Sequence, residues 1–430
     1  MASAAAHAQT LPEADIDCVD LPDPKLFIEA GDTQMTMLGD LARALRDEQS
    51  PLTLVYLPRS SCTLAENVFK GNPTLEAMRY VPSAAEAPSW DGTPHQCRNR
   101  TQGFPIDLGI AATFVTSCSR TVQMLRPDSI AIFEGPVQAY GFVVPEGSLD
   151  AALGAITQEE AYYVFSGQGP QYDVVPWNLE ANPVGGTPTV YIRQATTSTL
   201  LTLASNVAPA LLPASSWVGY RLSGQQDRSS VVISGVANAP ASTRDASIGI
   251  LGVDLYDRAR DRLDMLAYRA AGQHYAYYPD STPARRDKRN VRDGHYVPWA
   301  YTEYLTAVDA NKLPLSADVQ RVLDLVSART PTRLVSQSGT SPAYDIDAME
   351  VLAKNGLVPD CAMRVRRAFD GGDLSLYAPE ASCGCFFETI QDADLVNDPA
   401  WSKQCVSCSD EAPCAAGVCN RGFCEAGAQP

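Results

Sequence analysis

Residues 25–57, KLFIEAGDTQMTMLGDLARALRDEQSPLTLVYL, decide the fold class. Lys25 to Glu29 is a short extended run, closed by a turn at Ala30-Gly31-Asp32. Met35, Leu38, Leu41, Ala42 and Leu45 then recur at helical spacing, which makes one face of the segment apolar. Pro51 stops that pattern, and Leu52-Thr53-Leu54-Val55-Tyr56 is an apolar run of the kind buried inside a sheet. Strand, helix and strand in so short a space form the βαβ unit of a parallel sheet.

The pattern recurs along the chain. Ile106 to Ile110, Ile130 to Phe133 and Thr189 to Ile192 read as strands, the last running into a helix from Thr197 to Val207. Ile248 to Val253 is another buried strand, and Ala317 to Ser327 and Asp345 to Lys354 carry helical periodicity. Alternating elements over most of the chain predict an α/β protein. The segment from 70 to 105 is polar and rich in Pro, Gly and Asn, and reads as a long surface excursion. After residue 380 the character changes: Cys383, Cys385, Cys405, Cys408, Cys414, Cys419 and Cys424 crowd a stretch poor in large apolar residues. Such a segment builds no core of its own and needs covalent staples.

The remaining cysteines, Cys18, Cys62, Cys97, Cys118 and Cys361, lie in the body. With seven in the tail and five in the body, complete intramolecular pairing requires at least one bridge from tail to body. A rival reading puts zinc on Cys405-x2-Cys408 and Cys414-x4-Cys419. Twelve cysteines favour an oxidising compartment, and so disulfides over free thiolates. Ala6-His7-Ala8 reads as the small-x-small tail of a signal-peptide cleavage site, although no apolar run stands before it. The expectation is a periplasmic, cell-surface or secreted protein. No apolar run is long enough to span a bilayer. The net charge of −17 argues against nucleic acid, whose binders need a basic surface.

Three junctions between strand and helix could hold an anion, because a helix N-terminus gathers unpaired backbone N–H groups. They are Ala30-Gly31-Asp32-Thr33, Ser60-Ser61-Cys62-Thr63 and Arg193-Gln194-Ala195-Thr196-Thr197-Ser198-Thr199. The third adds an arginine able to fork two donors onto an oxyanion. Taken singly, each has a plain structural explanation: Ser and Thr cap helices, and Gly makes turns.

Their order resembles that of the phosphate-binding receptors of bacterial ABC uptake systems, which have the type II periplasmic-binding-protein fold, and of related exported proteins with extra cysteines. The similarity spans about residues 25 to 380. It is carried by G-x-T at 31–33, Y-x-x-x-S-S at 56–61, D-L-G at 107–109, GPVQAYGFVVP at 135–145, R-x-x-T-T-S-T at 193–199, SIGIL at 247–251 and RDGHYVPW at 292–299. The resemblance implies two α/β lobes joined by crossover strands, with a disulfide-rich C-terminal tail. The first lobe would comprise 15–140 and 270–380, the second 141–269, and the tail 381–430. Thr33, Ser61, Arg193, Thr197, Ser198 and Thr199 would donate to a small oxyanion captured by hinge closure. Asp107 would accept the proton of monohydrogen phosphate and so reject sulfate. Implied partners are the oxyanion and an ABC transporter or other envelope protein.

The sequence departs from the family at three places. Ala195 stands where an aspartate fixes the guanidinium, Ala111-Ala112 replaces serine-aspartate, and Asp32 puts a negative charge where a small neutral residue is usual. These departures support an alternative, a structural or interaction protein on a receptor-like scaffold that has lost or changed its ligand. No cofactor is implied. Neither a G-x-S-x-G elbow nor an H-E-x-x-H pair is present among residues that include only four histidines, so a binding protein rather than a hydrolase is expected.

Overall fold

The computed structural model describes residues 16–87, 93–99, 102–120, 125–148, 154–165, 190–208, 225–226, 228–337, 339–340, 343–410, 414 and 417–426. Ala6-His7-Ala8 and Thr189 lie outside them.

The opening unit folds as its periodicity requires: β1 (Lys25–Ala30), α1 (Met35–Arg46) and β2 (Thr53–Pro58), with β1 and β2 parallel. Met37, Leu38, Leu41, Ala42 and Leu45 of α1 enter one core with Leu26, Ile28, Leu54 and Tyr56 of these strands. α2 (Ser61–Lys70) follows β2 directly. The polar excursion then supplies two short strands, β3 (Met78–Tyr80) and β4 (His95–Cys97), which extend the sheet beyond β2. β5 (Leu108–Ala111) lies parallel to β1 on its other side.

β6 (Ile130–Pro145) is the long member, at 16 residues. Beyond it come β7 (Ala155–Thr157), α3 (Gln158–Phe165), β8 (Val190–Arg193), α4 (Ser198–Val207), β9 (Gln225–Gln226), α5 (Ser229–Ala237), β10 (Ile248–Gly252), α6 (Val253–Asp257), β11 (Leu263–Met265) and β12 (Ala267–Arg269). The chain returns through α7 (Arg289–Arg292) into β13 (Trp299–Ala307), followed by α8 (Ala317–Ser327), α9 (Ala348–Lys354) and, in the tail, α10 (Gly384–Gln391). Asp345 does not start the helix that its periodicity suggested. It lies in a short strand, and Asp347 is the N-cap of α9 in a capping box with Glu350.

The large sheet runs β4-β3-β2-β1-β5-β13-β6-β10-β8-β9, with β11 also on β6. It holds two parallel blocks (β1 with β2 and β5; β8 with β9 and β10) joined by an antiparallel middle, and β3 and β4 add an antiparallel edge beyond β2. The first part of β6, Ile130–Ala139, pairs with β13, while Tyr140–Val143 pairs with β10. One strand therefore leaves a βαβ half and enters a second, and β13 returns alongside it. This is the two-lobed type II periplasmic-binding-protein arrangement.

β13 carries Thr302, Glu303 and Thr306 into the interior, each with a partner. The Thr302 hydroxyl donates to Pro136 O at 2.8 Å, and the Thr306 hydroxyl to Asp107 O at 2.8 Å. Glu303 accepts the Val115 N–H at 2.6 Å. Burial, with Asp370 and Glu134 as further negative neighbours, raises the Glu303 carboxyl to about 7.

All twelve cysteines pair: Cys18–Cys97, Cys62–Cys118, Cys361–Cys383, Cys385–Cys405, Cys408–Cys419 and Cys414–Cys424. The sulfurs weighed as zinc ligands are thus spent in disulfides. Cys361–Cys383 is the one bridge joining tail to body. Buried ion pairs reinforce it, Arg292 with Glu388 at 2.6 Å and Arg421 with Asp347 at 3.2 Å.

Two predictions follow from these elements. Because the Glu303 carboxyl is raised in the folded state, its contribution to stability is fully present below pH 4.5 and lost as pH rises through about 7, a loss of up to about 3 kcal/mol. Glu303→Gln keeps an acceptor for Val115 and should melt progressively higher than wild type between pH 5 and about pH 8. A parallel pair of melting curves with pH would not bear this out. Replacing Cys361 and Cys383 together by Ser releases a closure of 22 residues and should cost about 3 kcal/mol, with the tail becoming accessible to limited proteolysis before the body.

Candidate functional site

Parallel strands place their carboxyl ends, and the helix N-termini that follow, on one edge, and the two lobes turn these edges toward each other. From the first lobe come the ends of β1, β2 and β5. Ser61 opens α2, and its hydroxyl accepts the Ala112 N–H at 3.2 Å. A Cβ on Gly31 would lie 3.5 Å from the Ala112 methyl and 3.8 Å from both Ser61 Oγ and Thr33 Oγ1, which places these residues together. From the second lobe come Arg193 at the end of β8, Ser198 and Thr199 in the first turn of α4, Ser229 at the start of α5, and Gly252 at the end of β10.

The lobes touch at these edges. The Cys62 N–H donates to Thr196 O at 3.1 Å, so one free donor of α2 is taken by the opposite lobe. A Cβ on Gly252 would approach Thr33 Cγ2 to 2.9 Å, so this contact needs a glycine. Beneath it runs an amide chain: Gln34 Nε2 donates to Thr33 Oγ1 (3.3 Å) and to Gln138 Oε1 (3.2 Å), and Gln138 Nε2 donates to Asp254 Oδ1 (2.9 Å). Burial, with Asp32 adding a like charge, holds the Asp254 carboxyl well above the ordinary carboxylate range. Tyr140, where β6 changes partner, donates its hydroxyl to Ala112 O and sits beside Ser198.

The centre of the site is an ion pair across the seam. Asp32, beyond the end of β1, accepts from Arg193 Nη1 at 2.7 Å. The same oxygen accepts the Ser229 N–H at 3.0 Å and the Ser229 hydroxyl at 2.8 Å. Ser229 Oγ also lies against Arg193 Nη1. A guanidinium, a hydroxyl and a helix N-terminal amide thus converge on one carboxylate oxygen, the donor set that recognises an oxyanion. The Arg193 side chain is 2% exposed and that of Asp32 25%, so the carboxylate is the part solvent can reach.

A second carboxylate bridges the seam from the chain's later part. Asp370 accepts from the hydroxyls of Thr113 (2.6 Å) and Ser117 on the first lobe and of Thr202 (3.2 Å) on α4. Burial pushes its carboxyl up. Beside it, Arg367 lies over the Trp299 ring at 4.3 Å and donates to Asn206 Oδ1 at 3.1 Å. Gly371, with φ of +71°, lies so close to α4 that a Cβ would stand 2.2 Å from Ser205 O.

The structure brings Thr33, Ser61, Arg193, Ser198 and Thr199 to the seam, and all are buried. Thr197 is the N-cap of α4, but its hydroxyl is turned back onto Gln194 O at 2.7 Å. Asp107 is elsewhere. It precedes β5, at the amino end of the strand whose carboxyl end reaches the seam, and its carboxylate accepts the Phe27 N–H at 2.8 Å. The sequence reading puts Asp107 inside a strand from Ile106 to Ile110; the strand runs Leu108–Ala111, and Ala112 stands at the seam instead. The guanidinium left unsupported by Ala195 is held by Asp32 from across the seam. Ser229, Gln34, Gln138 and Asp254 were not singled out from sequence. Ser229-Ser230 before Val231-Val232-Ile233 is a cap pattern that could have flagged the first of them.

No protein-family model matches the chain, and no curated protein does. Among solved structures it is similar to a phosphate-bound ABC-transporter substrate-binding protein from Clostridium perfringens (12% identity, 78% of this chain and 99% of that one, TM-score 0.45). It is similar also to an ABC-type phosphate transport receptor from Vibrio cholerae (11% identity, 77% and 99%, TM-score 0.42). A reduced form of OxyR from N. meningitidis is a third (10% identity, 75% and 98%, TM-score 0.34). At these scores the neighbours assign no ligand, and the fold stands on the strand order above.

Thr199 generates a prediction. Its hydroxyl is buried and makes no hydrogen bond. Thr199→Val removes an unpaired polar group with little change of shape, so unfolding stability should stay level or rise by about 1 kcal/mol in chemical denaturation. A loss of similar size would mean that the hydroxyl has a partner.

Proposed function

We propose that this chain is an exported solute-binding protein that captures phosphate or a similar small oxyanion between its lobes. In this reading the first lobe is formed by 15–140 and 270–380, the second by 141–269, and the tail by 381–430. The observation that carries it is the convergence on Asp32: Arg193, the Ser229 hydroxyl and the Ser229 N–H already hold one carboxylate oxygen. Groups that satisfy a carboxylate can satisfy a phosphate oxygen, and a buried guanidinium needs such a partner to offset its lost hydration. Thr33, Ser61, Ser198 and Thr199 would donate the remaining hydrogen bonds. Export rests on the complete pairing of the cysteines, which fits an oxidising compartment. The delivery partner would be an ABC transporter or another envelope protein. The role is binding rather than catalysis: the site holds donors for an anion, and neither His274 nor His295 is among its residues.

The second reading, a structural or interaction protein on this scaffold, is favoured by a different observation. The seam is already bridged by Asp32, by Asp370 and by the Cys62–Thr196 backbone bond.

Calorimetry of the full chain with phosphate and with sulfate separates the two. Heat with phosphate, accompanied by a rise in melting temperature, is expected. No heat and no thermal shift at about millimolar phosphate would overturn the oxyanion reading. Arg193→Ala should abolish the heat and also cost about 3 kcal/mol of stability, because it strands Asp32 beside Asp254.

A further inference from the structure

We infer that Asp32 is a tethered ligand of the oxyanion cradle, and that a solute must displace it to bind. The inference rests on the oxyanion reading of the same site. Asp32 belongs to the first lobe, whereas the donors to its Oδ2 among the described residues belong to the second: Arg193 Nη1 at 2.7 Å, Ser229 N–H at 3.0 Å and Ser229 Oγ at 2.8 Å. Ala195 stands two residues along from Arg193, so the aspartate that the resemblance expects at that place in the arginine's own lobe is absent from it. Coming from the other lobe, the Asp32 carboxylate does what a bound oxyanion does in a hinged receptor: it joins the two halves through one set of donors.

The geometry also allows exchange. Arg193 is sealed, while the Asp32 side chain is 25% exposed, so an incoming anion can meet the carboxylate from solvent without any unfolding. Asp32 lies in a short 3-10 turn, Asp32–Gln34, between β1 and α1, and its own backbone is not part of the sheet. Its displacement would leave the strand register intact.

The consequence is a competition. A tethered anion acts at a fixed effective concentration, and external anions of equal chemistry bind with an affinity reduced by the fraction of cradles it fills. Only a solute that outbids a carboxylate, by greater charge or by further bonds to Thr33, Ser61 and Ser198, opens and refills the site. Asp32 is thereby a specificity-determining residue: it excludes weak monoanions and sets the threshold for the solute.

The test uses the full chain as wild type, Asp32→Ala and Asp32→Asn, the last keeping an acceptor without the charge in case the alanine variant does not fold. Phosphate is titrated calorimetrically into each, and melting curves are taken with acetate, using equal chloride as the control. Asp32→Ala should bind phosphate about ten-fold or more tightly than wild type, with Asp32→Asn between them. Acetate should raise the melting temperature of Asp32→Ala and leave wild type unmoved, because it refills the vacated cradle. If phosphate gives no heat with either protein but acetate stabilises Asp32→Ala selectively, the tethered ligand stands and the phosphate reading falls. If wild type binds phosphate and Asp32→Ala binds it equally or more weakly, Asp32 merely positions Arg193; the inference falls and the phosphate reading stands. Absence of any gain with either anion in both variants overturns the inference outright.

Discussion

The pairing of β6 with β13 is the constraint on which the rest of the molecule depends. Eight residues of β13 lie against β6 in antiparallel register, with one irregularity between Tyr301 and Glu303. β6 continues past the end of that pairing to join β10. Two βαβ halves with separate parallel sheets are thus fused through a shared antiparallel middle. Their carboxyl edges face each other only because one continuous strand enters the second half with its direction fixed by the first. Large side chains consolidate this middle: Trp299, Tyr301 and Tyr304 of β13 and Tyr140 and Phe142 of β6 are fully buried. Burial of aromatic area on this scale supplies several kcal/mol per residue pair relative to small side chains. Thr302, Glu303 and Thr306, threaded among them, bond to backbone atoms of Pro136, Val115 and Asp107.

Once the edges face each other, the electrostatics of the seam are largely determined. Each parallel half ends in helix N-termini that repel cations and attract anions. Arg193 adds a full charge that the interior does not tolerate alone. The chain answers with its own carboxylates, Asp32 against Arg193 and the start of α5, and Asp370 against three hydroxyls drawn from both sides. A protein with net charge −17 has carboxylates to spare. Each of the two at the seam takes at least one donor from the opposite lobe, Arg193 for Asp32 and Thr202 for Asp370.

Much of this was legible in the chain. α1 and α8 were clear because their apolar residues repeat on one face, and β1, β2, β8 and β10 because short apolar runs sit between turn residues. β13 was not, because Trp299-Ala300-Tyr301-Thr302-Glu303-Tyr304 mixes polar and apolar residues with no regular period. Its Thr and Glu are buried against Pro136, Val115 and Asp107, partners that sequence spacing does not reveal. β6 was read at a quarter of its length since Gly135-Pro136 and Gly141 look like breaks. They are places where Tyr304 and Tyr296 press on the backbone and leave no room for a Cβ. At the seam, Arg193, Ser61 and Thr33 were visible as junction residues. Asp107 was read inside a strand from Ile106 to Ile110, and the apolar run does not show that the strand begins at Leu108 with its other end at the seam. Asp32 was seen as an intruder; that it replaces the missing support of Arg193 depends on a fold contact across 161 positions.

The cysteines place a further condition on how such a seam can work. Cys62, next to Ser61 at the start of α2, is bonded to Cys118 in the turn after β5. This fixes two of the three first-lobe junctions to one another, so that the first lobe presents its edge as a rigid unit. Its neighbours Thr113 and Ser117 are the residues that hold Asp370. On the second lobe no disulfide is present among the described residues, and Arg193 and Ser229 meet the first lobe through the Asp32 carboxylate. In the proposed reading, full opening of the seam about β6 and β13 would break the Asp32–Arg193 pair on one side and the Asp370–Thr202 bond on the other. The two carboxylates lie on different parts of the chain. In the same reading, displacing Asp32 from Arg193 would free the anion cradle while Asp370 still holds α4 to the first lobe through Thr202. The cradle can then exchange its occupant with a smaller movement than full separation of the lobes.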